Sequence, residues 1–97
     1  MFTIEGRGQW SGLFKVMEEC GELITVCAKL GATGGDPRYW GNVDLRERLI
    51  EEIGDVLAAI DFFMYHNASG RDRHAILIRR CEKFEIFQQW RRDARTE

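Results

Sequence analysis

Apolar residues recur at Leu13, Met17, Cys20, Ile24 and Cys27, joined by Val16, Leu23 and Leu30, at the three- and four-residue spacing of an amphipathic helix. The spacing predicts a first helix over about 11–30, with Gly31 as its stop. The stretch "GATGGDPRYWGN" then holds four glycines and the chain's one proline with no apolar period, which reads as a loop of about a dozen residues. Asp44 followed by Glu47 resembles a capping box, and Leu45, Leu49, Ile53, Val56, Leu57, Ile60, Phe63 and Met64 carry a second helix over about 45–66. "NASGRD" breaks the pattern. A third helix is predicted over about 73–91, with Leu77, Cys81, Phe84, Phe87 or Gln88, and Trp90 or Arg91 on its inward side. A short turn or helix before Ser11 also fits. No strand pattern or long repeat appears, so the expected fold is all-α, a small helical bundle in a single domain.

Size adds one constraint to this picture. A domain of 97 residues buries only about 60–65% of the surface its unfolded chain exposes, so its own core is thin. The composition, 44% hydrophobic and 31% charged, is that of a folded protein. No apolar run reaches the length of a membrane span, and "MFTIEGRGQW" lacks the regions of a signal peptide, so a cytoplasmic protein with no membrane partner is expected. Cys20, Cys27 and Cys81 form no CxxC pair and lie near no histidine at zinc-ligand spacing; they read as reduced core cysteines.

Charge is unevenly spread. Residues 1–70 carry 6 basic and 11 acidic residues, net -5, whereas residues 71–97 carry 8 and 5, net +3. An acidic chain is poorly suited to neutralising the phosphates of a nucleic-acid polymer, and none is expected as partner.

The acids fall into two clusters of one form: Glu18, Glu19 and Glu22 in "KVMEECGELITVC", and Glu51, Glu52 and Asp55 in "LIEEIGDVLAAID". At about 100° per residue, Glu19 and Glu22 lie roughly 60° apart in a column with Lys15, Val26 and Lys29. Glu52 and Asp55 occupy the matching column of the second helix with Arg48, Ala59 and Phe62. Both columns border the apolar stripe, which places the carboxylates at the rim of the core. If the helices pack antiparallel, four carboxylates converge, and such a group is costly to keep ionised without a cation. All-oxygen ligation suits Mg²⁺, with Mn²⁺ as an alternative. Solvated helix faces explain one such cluster well and two matching ones poorly. A carboxylate di-iron bundle needs Glu-x-x-His pairs, but His66 and His74 follow Phe63 and Arg71 at that spacing and read as capping or surface residues. No P-loop motif is present.

"EECGEL" followed by "EEIGDVL" resembles the ExxE and ExxD signature of the MazG-like, all-α nucleoside triphosphate pyrophosphatases, which include phosphoribosyl-ATP pyrophosphatases and dUTP and dCTP hydrolases. The likeness covers roughly residues 10–66, with the first motif on Glu19 and Glu22 and the second on Glu52 and Asp55. It implies a bundle completed by dimerisation, often further into tetramers, that binds Mg²⁺ through these acids. It further implies hydrolysis of a nucleotide between its α and β phosphates, giving a nucleoside monophosphate and pyrophosphate.

On this basis Glu19, Glu22, Glu52 and Asp55 are the expected metal ligands. Glu18, Glu19 and Glu51 are the candidate catalytic residues, with Glu18 or Glu51 as an outer-shell ligand or the water-activating base. The family's downstream lysine and arginine would correspond to Lys83 with Arg79, Arg80 or Arg91, while Trp10, Tyr39 or Trp40 offer aromatic faces for a base. The alternatives are a nucleotide or metal sensor without turnover and a noncatalytic helical dimerisation module. The identity of the nucleotide is not written in these residues.

Overall fold

The computed structural model describes residues 10–38 and 40–96. The turn or helix expected before Ser11 lies, but for Trp10, outside the described residues, as does Tyr39. Three helices are present, α1 (Leu13–Ala32), α2 (Leu45–Asn67) and α3 (Gly70–Thr96), with no strand among the described residues; the fold is all-α. The chain forms two compact units, one ending at Asn67 and the other beginning at Ala68.

In the first unit α1 and α2 form an antiparallel hairpin. The end of α2 is tied to the beginning of α1 by Asn67, whose Nδ2 donates to the carbonyls of Ser11 and Phe63 at 2.8 Å each. Gly12 is the N-cap of α1, with φ +86° and no side chain to offer the helix. Its bareness serves packing: a Cβ there would stand 2.8 Å from Cδ1 of Phe62. Gly12→Ala is therefore expected to combine left-handed backbone strain with displacement of the Phe62 ring, at a cost of about 2 kcal/mol. Urea unfolding would read this as a lower midpoint; an unchanged midpoint would contradict both the backbone strain and the clash with the ring.

The stop of α1 is not Gly31, which stays helical, but the turn that follows. Gly35 N donates to Leu30 O at 2.8 Å, and this closure runs through Gly34 at φ +67°. A glycine inside a helix is tolerated, whereas the left-handed residue after it favours one. The loop is internally bonded: Asp36 Oδ1 accepts from Arg38 N at 2.9 Å, and Leu45 N donates to Pro37 O at 2.9 Å. Asp44 caps α2 as expected, its Oδ1 accepting from Arg46 N at 3.0 Å and Glu47 N at 3.3 Å.

The buried face differs from the apolar stripe of the sequence. Among the described residues Val26, Leu45 and Ala59 are the buried hydrophobic ones, and Glu52 is buried with them at 2% exposure. Met17, Ile24 and Leu57, expected to face inward, are 59%, 67% and 57% exposed. Leu45, Glu52 and Ala59 are spaced by seven residues and so form one column, the one that holds the acid of the second motif. A helix pairing with one neighbour buries one edge of a wide apolar face, and here each helix turns its acid-bearing edge inward.

In the second unit α3 starts three residues earlier than expected and runs to Thr96. The cause is a capping box inside "NASGRD": Ser69 N donates to Asp72 Oδ2 at 2.9 Å, and Asp72 N donates to Ser69 Oγ at 3.1 Å. The Ser69 backbone and hydroxyl bonds hold the Asp72 carboxyl below its ordinary range. The side of α3 expected to face inward is exposed at Leu77, Cys81, Phe84, Phe87, Gln88, Trp90 and Arg91. A unit with one helix has no interior to bury them, and Arg79, Arg80, Glu82, Lys83 and Glu85 interrupt the apolar positions. The three cysteines are free; Cys20 is half-buried, but Cys27 and Cys81 are exposed rather than core residues, because both lie on these open faces.

Candidate metal centre

The antiparallel hairpin brings the two acid-bearing columns together at mid-height. One carboxylate oxygen from each of Glu19, Glu22, Glu52 and Asp55 lies within 4.8 Å of every other. The four are unequally placed: Glu52 is buried, Glu19 half-buried, and Glu22 and Asp55 exposed. Glu52 thus sits deeper than the rim expected of it, on the buried edge of α2. Its Oε1 accepts from Arg48 Nη2 at 2.9 Å, one turn earlier on the same helix. Its Oε2 is buried without a hydrogen-bond partner, as is Oε2 of Glu19.

Two buried carboxylate oxygens without partners are a costly arrangement for a protein that has nothing to place between them. Removal from water raises the Glu19 carboxyl above its ordinary value, and Glu22, Asp55 and Glu18 raise it further against a lowering by Lys15. Removal from water also raises Glu52, followed by the charge of Glu22; Arg48 offsets part of this, and Asp55 adds to it. The donor set is all oxygen, crowded, and short of positive charge. It fits a hard divalent cation, which would occupy the unpartnered oxygens and cancel the repulsion.

Stability in the absence of metal should then depend on pH in a defined direction. Folded-state pKa values raised above the ordinary 4.5 mean that the folded protein holds more protons than the unfolded chain just above that value. Stability contributed by Glu19 and Glu52 is present below 4.5 and is lost as pH rises through their raised values. Thermal melting in EDTA, wild type against Glu52→Gln, should show the wild type losing Tm relative to the variant over that interval. A relative gain with rising pH would contradict the charge repulsion described here.

The other acids of the two motifs lie outside the four-carboxylate group. Glu18 pairs with Lys15 at 3.4 Å, and Glu51 with Arg48 at 3.5 Å. Of Glu18, Glu19 and Glu51, Glu19 lines the adjoining cleft, a space of about 320 Å³ bounded also by Lys15, Asp55, Ala58, Ala59 and Phe62. Lys15, Ala59 and Phe62 share the helix columns of the acids, which is the signal in the sequence that connects them to the site.

The remaining candidates are placed as follows. Trp10 stacks on Phe63 with ring centroids 6.3 Å apart, and the Lys29 ammonium lies over the Trp40 ring at 5.9 Å. Arg79 and Lys83 belong to the second unit, where the Lys83 ammonium lies over Phe87 at 5.0 Å. His66, in the last turn of α2, packs its ring against Phe62 and Tyr65, and His74 is exposed; neither is in the carboxylate group. No helix among the described residues is long and apolar enough to cross a membrane. Comparison with protein-family models, with curated proteins and with solved structures finds no match to this chain.

Proposed function

We propose that this chain is an Mg²⁺-dependent nucleotide pyrophosphohydrolase of the MazG-like kind, cleaving a nucleoside triphosphate between its α and β phosphates. The observation that carries the reading is the meeting of Glu19, Glu22, Glu52 and Asp55 within 4.8 Å, with the buried Oε2 of Glu52 unpartnered. Two ExxE-like motifs on separate helices have no structural need to converge on a single point. A hard cation with phosphate oxygens as further ligands gives them one.

These four carboxylates would hold the metal, Mg²⁺ or Mn²⁺, which when bound neutralises phosphate oxygens and makes a nearby water more acidic. Arg48 keeps Glu52 oriented through the 2.9 Å bond to Oε1, leaving Oε2 for ligation. Glu19 is the metal-holding carboxylate that, with Asp55, also lines the cleft, so a ligand entering there meets the metal site directly. Glu18 and Glu51, tied to Lys15 and Arg48, balance charge at the outer edge of the site. The fold would be completed by a second copy of the chain, in a dimer or a tetramer of such dimers acting in the cytoplasm.

A panel of ribo- and deoxyribonucleoside triphosphates, incubated with the protein and Mg²⁺, tests the reading through pyrophosphate release. At least one should yield its monophosphate and pyrophosphate, and EDTA should stop it. Binding of Mg²⁺ and nucleotide with no product from any of them would make the chain a sensor instead.

A further inference from the structure

The cleft beside the carboxylates has two chemically different ends, and they are joined in one space. Glu19 and Asp55 border it, Lys15 brings to it a positive charge, and Ala58, Ala59 and Phe62 give it an apolar wall. Its volume, about 320 Å³, is at the lower end of that of small-molecule sites. Phe62 is 49% exposed, yet its ring is held from two sides: Gly12 lets the chain at the start of α1 approach it, and the His66 ring lies 4.5 Å away. Ala58 and Ala59 project little beyond the backbone, which leaves a flat ring room to lie along Phe62. Lys15 pairs with Glu18 at 3.4 Å to both oxygens, with both side chains more than half exposed, and its charge also acts on Glu19; a pair this open to water leaves the ammonium able to turn toward an anion.

We propose that this cleft is the nucleotide's seat, with Phe62 as the platform for the base and Lys15 as the cation for its phosphates. The assignment rests on the proposed function for the identity of the ligand, and it moves base recognition from Trp10 and Trp40 to a residue of the α2 acid column. Charge complementarity sets the polarity: the phosphate end lies at Lys15 and the carboxylates that hold metal, and the ring end at Phe62. Because an aromatic face stacks on any base, Phe62 favours nucleotides as a class over ring-free polyphosphates.

Calorimetric titration in Mg²⁺ with two probes tests this: α,β-imido nucleoside triphosphates, which cannot be cleaved at that position, and inorganic tripolyphosphate, which has no ring. Phe62→Leu should weaken nucleotide binding about ten-fold and keep wild-type affinity for tripolyphosphate, and Phe62→Trp should restore the nucleotide. Lys15→Met should weaken both probes. Equal losses for both probes in Phe62→Leu, or none, would overturn the assignment, as would failure of the wild type to bind the nucleotide. If wild type binds the imido nucleotide as described but releases no pyrophosphate from ordinary ones, the cleft stands and the hydrolase reading falls. If it releases pyrophosphate while Phe62→Leu and Lys15→Met bind as wild type does, the reverse holds.

Discussion

Glu52→Gln should abolish Mg²⁺-dependent turnover and at the same time make the metal-free protein more stable. The two effects share one cause. Glu52 is the buried member of the four-carboxylate group, with one oxygen bonded to Arg48 and the other without a partner. In the absence of metal its charge is opposed by Glu22 and Asp55 as well as by removal from water. The neutral amide relieves that opposition in a side chain of the same shape, but it is a weak ligand for a hard cation and supplies no charge. Asp55→Asn should lose turnover likewise, with a smaller gain in stability because Asp55 is exposed. Activity should fall by at least about 100-fold for each variant, in the range seen when metal-site groups are removed. Circular dichroism should show the helices retained, and Mg²⁺ should raise the Tm of the wild type far more than that of Glu52→Gln. Near-normal turnover in both variants would remove the metal centre from the account.

Sedimentation equilibrium at micromolar concentration should show a particle of at least twice the 11.3 kDa chain mass. The hairpin buries Val26, Leu45 and Ala59 as its apolar interior, while Phe14, Met17, Ile24, Ile50, Ile53 and Leu57 stay open to solvent on the same two helices. Apolar surface of that extent on so small a unit is costly to leave in water, and covering it with a second copy would supply the core that one chain lacks. Replacing Ile24 and Leu57 together by Glu should shift the equilibrium to monomer. A wild type that sediments as monomer throughout would mean that the hairpin is stable with these faces wet.

The helices were legible in the sequence because apolar periodicity and turn residues act locally. α2 is bounded to within a residue of expectation, since Asp44 caps it and Asn67 closes it onto Ser11. Other boundaries depended on backbone conformations that residue type alone does not distinguish: Gly31 and Gly34 are both glycines near one helix end, and the left-handed turn uses the second. The start of α3 was readable from the Ser69 and Asp72 spacing, but Gly70 between them resembles a break.

For the site, the two acid columns were fully readable, and the structure brings their four carboxylates together. Which edge of each apolar face turns inward was not readable. Leu57 and Ala59 compete for burial on α2, and hydrophobicity favours Leu57, yet the smaller residue is buried, in the column that holds Glu52. That choice is what makes Glu52 an interior group instead of a rim one.

The most direct test of the central claim is the position at which water enters the nucleotide. With Mg²⁺, a substrate triphosphate and ¹⁸O-labelled water, mass spectrometry should find one labelled oxygen in the nucleoside monophosphate and none in pyrophosphate, which places the attack at the α phosphorus. Label in pyrophosphate would place it at the β phosphorus, and release of orthophosphate with a nucleoside diphosphate would mean a γ-phosphate hydrolase; either result contradicts the account.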